Sequence, residues 1–130
     1  MNEIVEFLRS CGVYFIATSD NGRARVRPFG TIDLWDGHLM ILTGAGKNVA
    51  VQINADPRIE ISAVGTDGRW LRLTANAVRL KNRDAEAHML DAYPHLKGSY
   101  RPGEDNTALY VLENGIAHIT QGAETKTYDI

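Results

Sequence analysis

The chain has 130 residues, 44% of them hydrophobic and 23% charged, which fits one globular domain and leaves little room for a second. Its net charge of -2 supplies no overall field to recruit nucleic acid or an anionic membrane, so any functional positive charge must be local. One cysteine, Cys11, rules out an internal disulfide and fits a reducing cytoplasm, the compartment expected here.

The N-terminal MNEIVEFLRS is acidic and amphipathic, unlike a signal peptide. Residues 3–10 are expected to form a short helix with Ile4, Val5, Phe7 and Leu8 as its apolar stripe. A strand, GVYFIATSD, follows. Asn21-Gly22 then predicts a hairpin, because this pair accepts the positive φ angles of a type I′ turn. The return strand carries Arg23, Arg25 and Arg27 at alternate positions and continues through Pro28, Phe29 and Gly30 into TIDLW. Alternate residues of a strand share a face, so three guanidinium groups line one side: either a wet surface or an anion site.

Asp36-Gly37 predicts a second hairpin, into HLMILT. The glycines of TGAGKN break that strand, and residues 47–54 form about two helical turns, ended by Pro57. Here Gly44 permits close backbone approach, the helix start directs free N–H groups outward, Lys47 adds charge, and Thr43 and Asn48 add hydrogen-bonding groups. The spacing is not that of a P-loop. Pairing back across Asp36-Gly37 sets Thr43 level with residues 29–31, so the arginine strand and the glycine turn can hold one anion together.

RIEISAVG and RWLRLTANAVRLK are the next two strands, joined by TDG. Asn82 caps a helix running to about Tyr93, with Pro94 as its stop. GSYRPGEDN is a loop. TALYVLE and GIAHITQ are expected to form a final hairpin across Asn114-Gly115, leaving GAETKTYDI as a tail. Six or seven short strands joined by tight turns, with three small helices, give a mainly β (α+β) antiparallel barrel rather than a parallel sheet. Trp35 and Trp70 suit core or interface packing. His38, His88, His95 and His118 lack metal-ligand spacing, so no metal site is expected. No nucleophile, base and orienting group stand together, which leaves catalytic residues unassigned.

The motifs YFIAT, ARVRPFG, DGHLMILTGAGKNVAVQINADPRIEIS, GRWLRLTANAVR and HMLDAYPHLKGSY, in this order over roughly residues 4–120, resemble short members of the flavin-binding split-barrel proteins related to pyridoxamine 5′-phosphate oxidase. The resemblance implies a single FMN-binding split β-barrel spanning residues 1–130, and a homodimer with FMN at the subunit interface. It also implies Arg25 and Lys47 on the FMN phosphate with Thr43, Gly44 and Asn48 nearby. The backbone of Arg27, Pro28 and Phe29 would run beside the flavin ring. Trp70 would approach the flavin, from the second subunit in one arrangement. The oxidases themselves carry a longer C-terminal segment and a terminal lysine where this strand has Phe29 and Gly30, so oxidation of vitamin B6 phosphates is not expected. The expected activity is a flavin-dependent oxidoreductase acting on a small molecule with a nicotinamide or similar donor. The alternatives are a non-catalytic flavin carrier, a deazaflavin relative, or a haem relative, the last disfavoured by the lack of a histidine in the motifs, though His38 precedes one. A structural protein with merely solvated arginines is the remaining class.

Overall fold

A computed structural model describes residues 2–130. Helix α1, Asn2–Cys11, buries Ile4, Val5, Phe7 and Leu8 and ends where Gly12, at φ +76, donates its N–H to Arg9 O at 3.1 Å. Strands β1, Tyr14–Asp20, and β2, Arg23–Phe29, then pair through the expected turn, with Asn21 at φ +51 and Gly22 at φ +84. The backbone leaves the strand at Gly30–Ile32, so TIDLW is not a simple continuation of β2. A short β3, Asp33–Trp35, turns at Asp36-Gly37 (φ +49 and +77) into β4, His38–Gly44. Helix α2 spans Asn48–Ala55, and β5, Arg58–Val64, pairs with β6, Trp70–Arg79. Helix α3, Arg83–Ala92, is capped by Asn82, whose side chain accepts from Ala85 N at 3.1 Å, and Pro94 opens a 3₁₀ turn, Pro94–Leu96.

Two expectations need correction. Asn114-Gly115 is not a hairpin: Thr107–Gln121 is one continuous strand, β7, and the hairpin comes later, at Gly122, leading into β8, Glu124–Asp129. The barrel therefore has eight strands, because the segment taken for a tail is the eighth. Asn114, at φ +53, and Gly115 together oppose the single Ala75 of β6, which makes a β-bulge. A Cβ on Gly115 would sit 2.0 Å from Thr74 O, so the strands meet there only because residue 115 has no side chain. The bulge marks a change of partner. Before it β7 pairs with β4, through Leu112; after it β7 pairs with β8, from Ile116.

The strand order is β2-β1-β5-β6-β7-β4-β3, all antiparallel, with β8 also on β7. This curved sheet encloses a core that includes Tyr14, Ile16, Ile41, Ile61, Leu73 and Tyr110, plugged by α1 and α2. A second cluster, Met40, Leu42, Met89, Leu90 and Leu109 among it, lies under α3 on the other side of β4. The barrel is split. Strands β2 and β4 approach without pairing, and the bridge across the gap is Thr31, whose hydroxyl donates to Leu42 O and accepts from Leu42 N, both at 2.9 Å. No helix of the described residues is long and apolar enough to cross a membrane.

Candidate functional site

A cavity of about 380 Å³ opens at this split. The end of β2 contributes Pro28, Phe29 and Gly30, the end of β4 contributes Leu42 and Thr43, and Lys47 stands at the start of α2. The far wall is the segment after α3: Tyr93, His95, Leu96 and Tyr100. The pieces are held firmly. The Tyr14 hydroxyl, inside the core, donates to Thr31 O at 2.5 Å, and burial pushes its ionisation well above the ordinary phenol range. The Tyr93 hydroxyl donates to Ile32 O at 2.8 Å and accepts from Ile32 N at 3.0 Å, tying the far wall to the split. Gly44 must be glycine for a packing reason: a Cβ there would stand 2.7 Å from the Tyr100 hydroxyl oxygen.

The cavity presents donors to whatever enters it. Lys47 is the N-cap residue of α2 and its side chain makes no capping bond. The intrahelical ladder begins with Val51 N to Lys47 O, so the N–H groups of Asn48, Val49 and Ala50 lack helical acceptors. Partial positive charge from those groups, plus the lysine, favours an anion at this end. Thr43 is buried, and its hydroxyl makes no hydrogen bond among the described residues. Phe29, Tyr93 and Tyr100 add flat apolar surface, with Tyr14 packed on Phe29 at 5.8 Å between ring centres.

Of the residues singled out from the sequence, Pro28, Phe29, Thr43 and Lys47 line this one cavity, and Gly44 and Asn48 adjoin it in the chain. The three arginines do share a face, the side of Ile16 and Thr18, because Arg27 pairs with Ile16 and Arg25 with Thr18. They do not line the cavity. Arg27 is a tie between sheet and helix, donating to Ile16 O at 3.3 Å, to Thr18 Oγ1 at 2.8 Å and to Gln52 Oε1 of α2 at 2.5 Å. Burial, and secondarily Arg25, lowers its pKa. Arg25 pairs with Asp20 at 3.2 Å, and Arg23 lies beyond it, towards the turn. Trp70 lies on the outer face of β6, three strands from β2 and so about 14 Å away in the same sheet. Its own chain cannot bring it to the cavity.

The pyridoxamine 5′-phosphate oxidase family model matches residues 1–113. The chain belongs to that family. No curated protein matches it in sequence. Among solved structures, a NimC/NimA family protein from Clostridium acetobutylicum is 32% identical, with a TM-score of 0.92 over 98% of this chain and 90% of that one. A pyridoxamine 5′-phosphate oxidase-related, FMN-binding protein from Nostoc punctiforme PCC 73102 is 15% identical, with a TM-score of 0.64 over 97% and 87%. A haem-binding protein from Mycobacterium smegmatis is 18% identical, with a TM-score of 0.75 over 95% of this chain and 55% of that one. The latter two share the fold.

For this oxidase-family member the wall residues Tyr93, His95, Leu96 and Tyr100 were not legible as site residues, although all four lie in the motif HMLDAYPHLKGSY. The available signal was the glycine at 44, whose missing side chain leaves room for Tyr100. His95 also corrects the argument against haem, since a histidine of that motif does line the cavity.

Proposed function

We propose that this protein binds FMN in the split of its barrel, as a homodimer, and passes electrons between a reduced donor and a small molecule. The observation that carries this reading is the cavity itself: a lysine beside an uncapped helix start, next to flat apolar walls and the edge of a strand. FMN offers a phosphate for the first and a flat ring for the second. Lys47 and the free N–H groups of α2 would hold the phosphate, with Thr43 and Asn48 hydrogen-bonding beside it. The other edge of β2 pairs with no strand, so its outward backbone groups are available to the polar rim of a ring lying along Arg27, Pro28 and Phe29. Pro28 suits that edge because it has no N–H to leave unpaired. When bound, the flavin supplies the redox chemistry, while the chain binds, orients and shields it.

The homodimer is supported by the outer face of the sheet. Six of the eight large apolar side chains exposed on the surface lie there: Phe15, Val26, Val64, Trp70, Val78 and Ile116. Exposed apolar side chains gathered on one side of a sheet suit an interaction surface. A second copy packed on it also offers the route by which Trp70 reaches a flavin.

The test is an absorbance spectrum of the purified protein, then titration with FMN and steady-state oxidation of reduced nicotinamide with small acceptors. Micromolar or tighter FMN binding with turnover is the expected result. Binding without turnover would leave a flavin carrier, and no binding would overturn the reading. One observation favours a second reading: His95 in the wall could ligate haem iron, and a haem titration producing a histidine-type absorption band that is lost in His95→Ala would establish it.

A further inference from the structure

Most of the buried hydroxyl groups are answered by the protein itself. Tyr14 donates to Thr31 O, Tyr110 to Asn54 Oδ1, Thr18 to Gln52 Oε1, Thr31 to Leu42 O and Thr107 to Arg101 O. Two buried hydroxyls have no such partner among the described residues: those of Thr43, 5% exposed, and Tyr100, 9% exposed. Neither is sealed off, because the one fully buried side-chain nitrogen or oxygen left unpaired among the described residues is Arg79 Nε. Thr43 and Tyr100 both line the cavity at the split. Buried hydroxyls as a rule find partners, so two left open in one cavity mark where the acceptors of a ligand belong.

Strand alternation explains where the two hydroxyls stand. Thr43 and Gly44 are the last residues of β4, and neighbours in a strand address opposite faces. Gly44 leaves its face empty, and the Tyr100 hydroxyl oxygen fills it, 2.7 Å from where a Cβ would be. The two hydroxyls therefore flank the end of one strand. Lys47 N donates to Gly44 O at 3.1 Å, a tight turn that brings Lys47 and the start of α2 to the same place. The Tyr100 ring is held independently of any ligand: its N–H donates to Leu96 O at 3.0 Å, and it packs with Met40, Leu42 and Leu109. Its hydroxyl keeps one proton to give, and a phosphate beside Lys47 has oxygens to receive it. We propose that Tyr100 is a ligand-binding residue whose hydroxyl donates to an oxygen of the phosphate held at Lys47, from the face of β4 opposite Thr43. Through Tyr100 the segment after α3 reads the anionic end of the ligand as well as walling the cavity. This rests on the reading of the cavity as an FMN site.

The experiment compares two flavins on two proteins. Wild type and Tyr100→Phe, which keeps the ring and its packing, are titrated with FMN and with riboflavin, the same ring and chain without the phosphate. Tyr100→Phe should bind FMN about tenfold or more weakly than wild type, the loss of a hydrogen bond to a charged group. Riboflavin should bind both proteins equally. Without flavin, Tyr100→Phe should melt no lower than wild type, since no bond within the protein is lost. Unchanged FMN affinity in the variant would overturn the proposal. An equal loss for riboflavin would overturn it too, by placing Tyr100 against the ring or chain, and a lower melting temperature without flavin would reveal a protein partner for the hydroxyl. A wild-type protein that binds FMN no tighter than riboflavin also overturns it, while leaving a flavin in the cavity. A wild-type protein that binds neither flavin removes the underlying reading before any variant is made.

Discussion

Gly115→Ala tests the most consequential local feature of the fold. The added methyl carbon would lie 2.0 Å from Thr74 O and 2.8 Å from both Cα and Cβ of Ala75. These are mostly backbone atoms held in the β6–β7 ladder, so relief requires the two strands to part by more than an ångström. Overpacking of this kind costs about 1–3 kcal/mol. Parting the strands also disturbs the mutual bonds of Gly115 and Ile130, N to O at 3.1 Å and O to N at 2.9 Å, worth about 1 kcal/mol each. The sum is about 3–5 kcal/mol, or a fall in Tm of about 10–20 °C for a domain of this size. Thermal unfolding followed by circular dichroism measures it. Gly122→Ala is the control: its φ is +59 but nothing lies within 4 Å of the added carbon, so the cost is about 1–2 kcal/mol. The two substitutions therefore separate a bulge at 115 from a turn at 122. A Gly115→Ala protein within about 1 kcal/mol of wild type, or less affected than Gly122→Ala, would refute the bulge geometry.

Three further outcomes are expected. Lys47→Ala should weaken FMN binding about 10- to 150-fold, the loss of a charge-assisted phosphate contact, whereas Arg25→Ala should change it less than about threefold because that side chain is engaged by Asp20 outside the cavity; an equal or larger loss for Arg25 would move the phosphate to the arginine strand. Gly44→Ala should destabilise through the 2.7 Å approach to the Tyr100 hydroxyl, and Tyr100→Phe should recover part of that loss, giving a coupling of about 1 kcal/mol in a double-mutant cycle; additive effects would mean the two do not collide. Asp56, held by two bonds to the Arg58 side chain and one to its backbone N–H, has its pKa lowered from 3.8 to about 2. A depressed carboxyl stabilises the fold above about pH 4 and loses that contribution as pH falls through about 2, so the Tm gap between wild type and Asp56→Asn should close over that window; a gap independent of pH would exclude the linkage.

The sequence was most legible where one short stretch decides the backbone. Asn21-Gly22 and Asp36-Gly37 form the turns their dipeptides favour, and Asn82 caps α3, because each outcome depends on a few neighbouring φ angles. Asn114-Gly115 carries the same local signal with the opposite result. An asparagine at positive φ suits a turn or a bulge equally, and the choice was made by distant partners: Thr74 and Asn76 on one side and Ile130 on the other. Strand β8 was invisible for a related reason. Glu124–Asp129 is exposed at nearly every position, so it has no apolar alternation to read.

The site divides along the same line. Hairpin logic alone brought Thr43 back to the level of residues 29–31, and Thr31 does meet Leu42 across the split. Strand alternation likewise set the three arginines on one face. What alternation could not supply was the identity of the group opposite that face. Gln52 and Thr18 accept the Arg27 fork, and Asp20 meets Arg25, the arginine expected on the phosphate; α2 supplies Gln52 because it folds back over the β1–β2 hairpin. The function proposed above sets the anion instead at Lys47 and the start of α2, the other half of the same sequence argument. Trp70 marks a different limit. It lies on the outer face of β6, so its part in a site depends on what covers that face, which strand alternation cannot say.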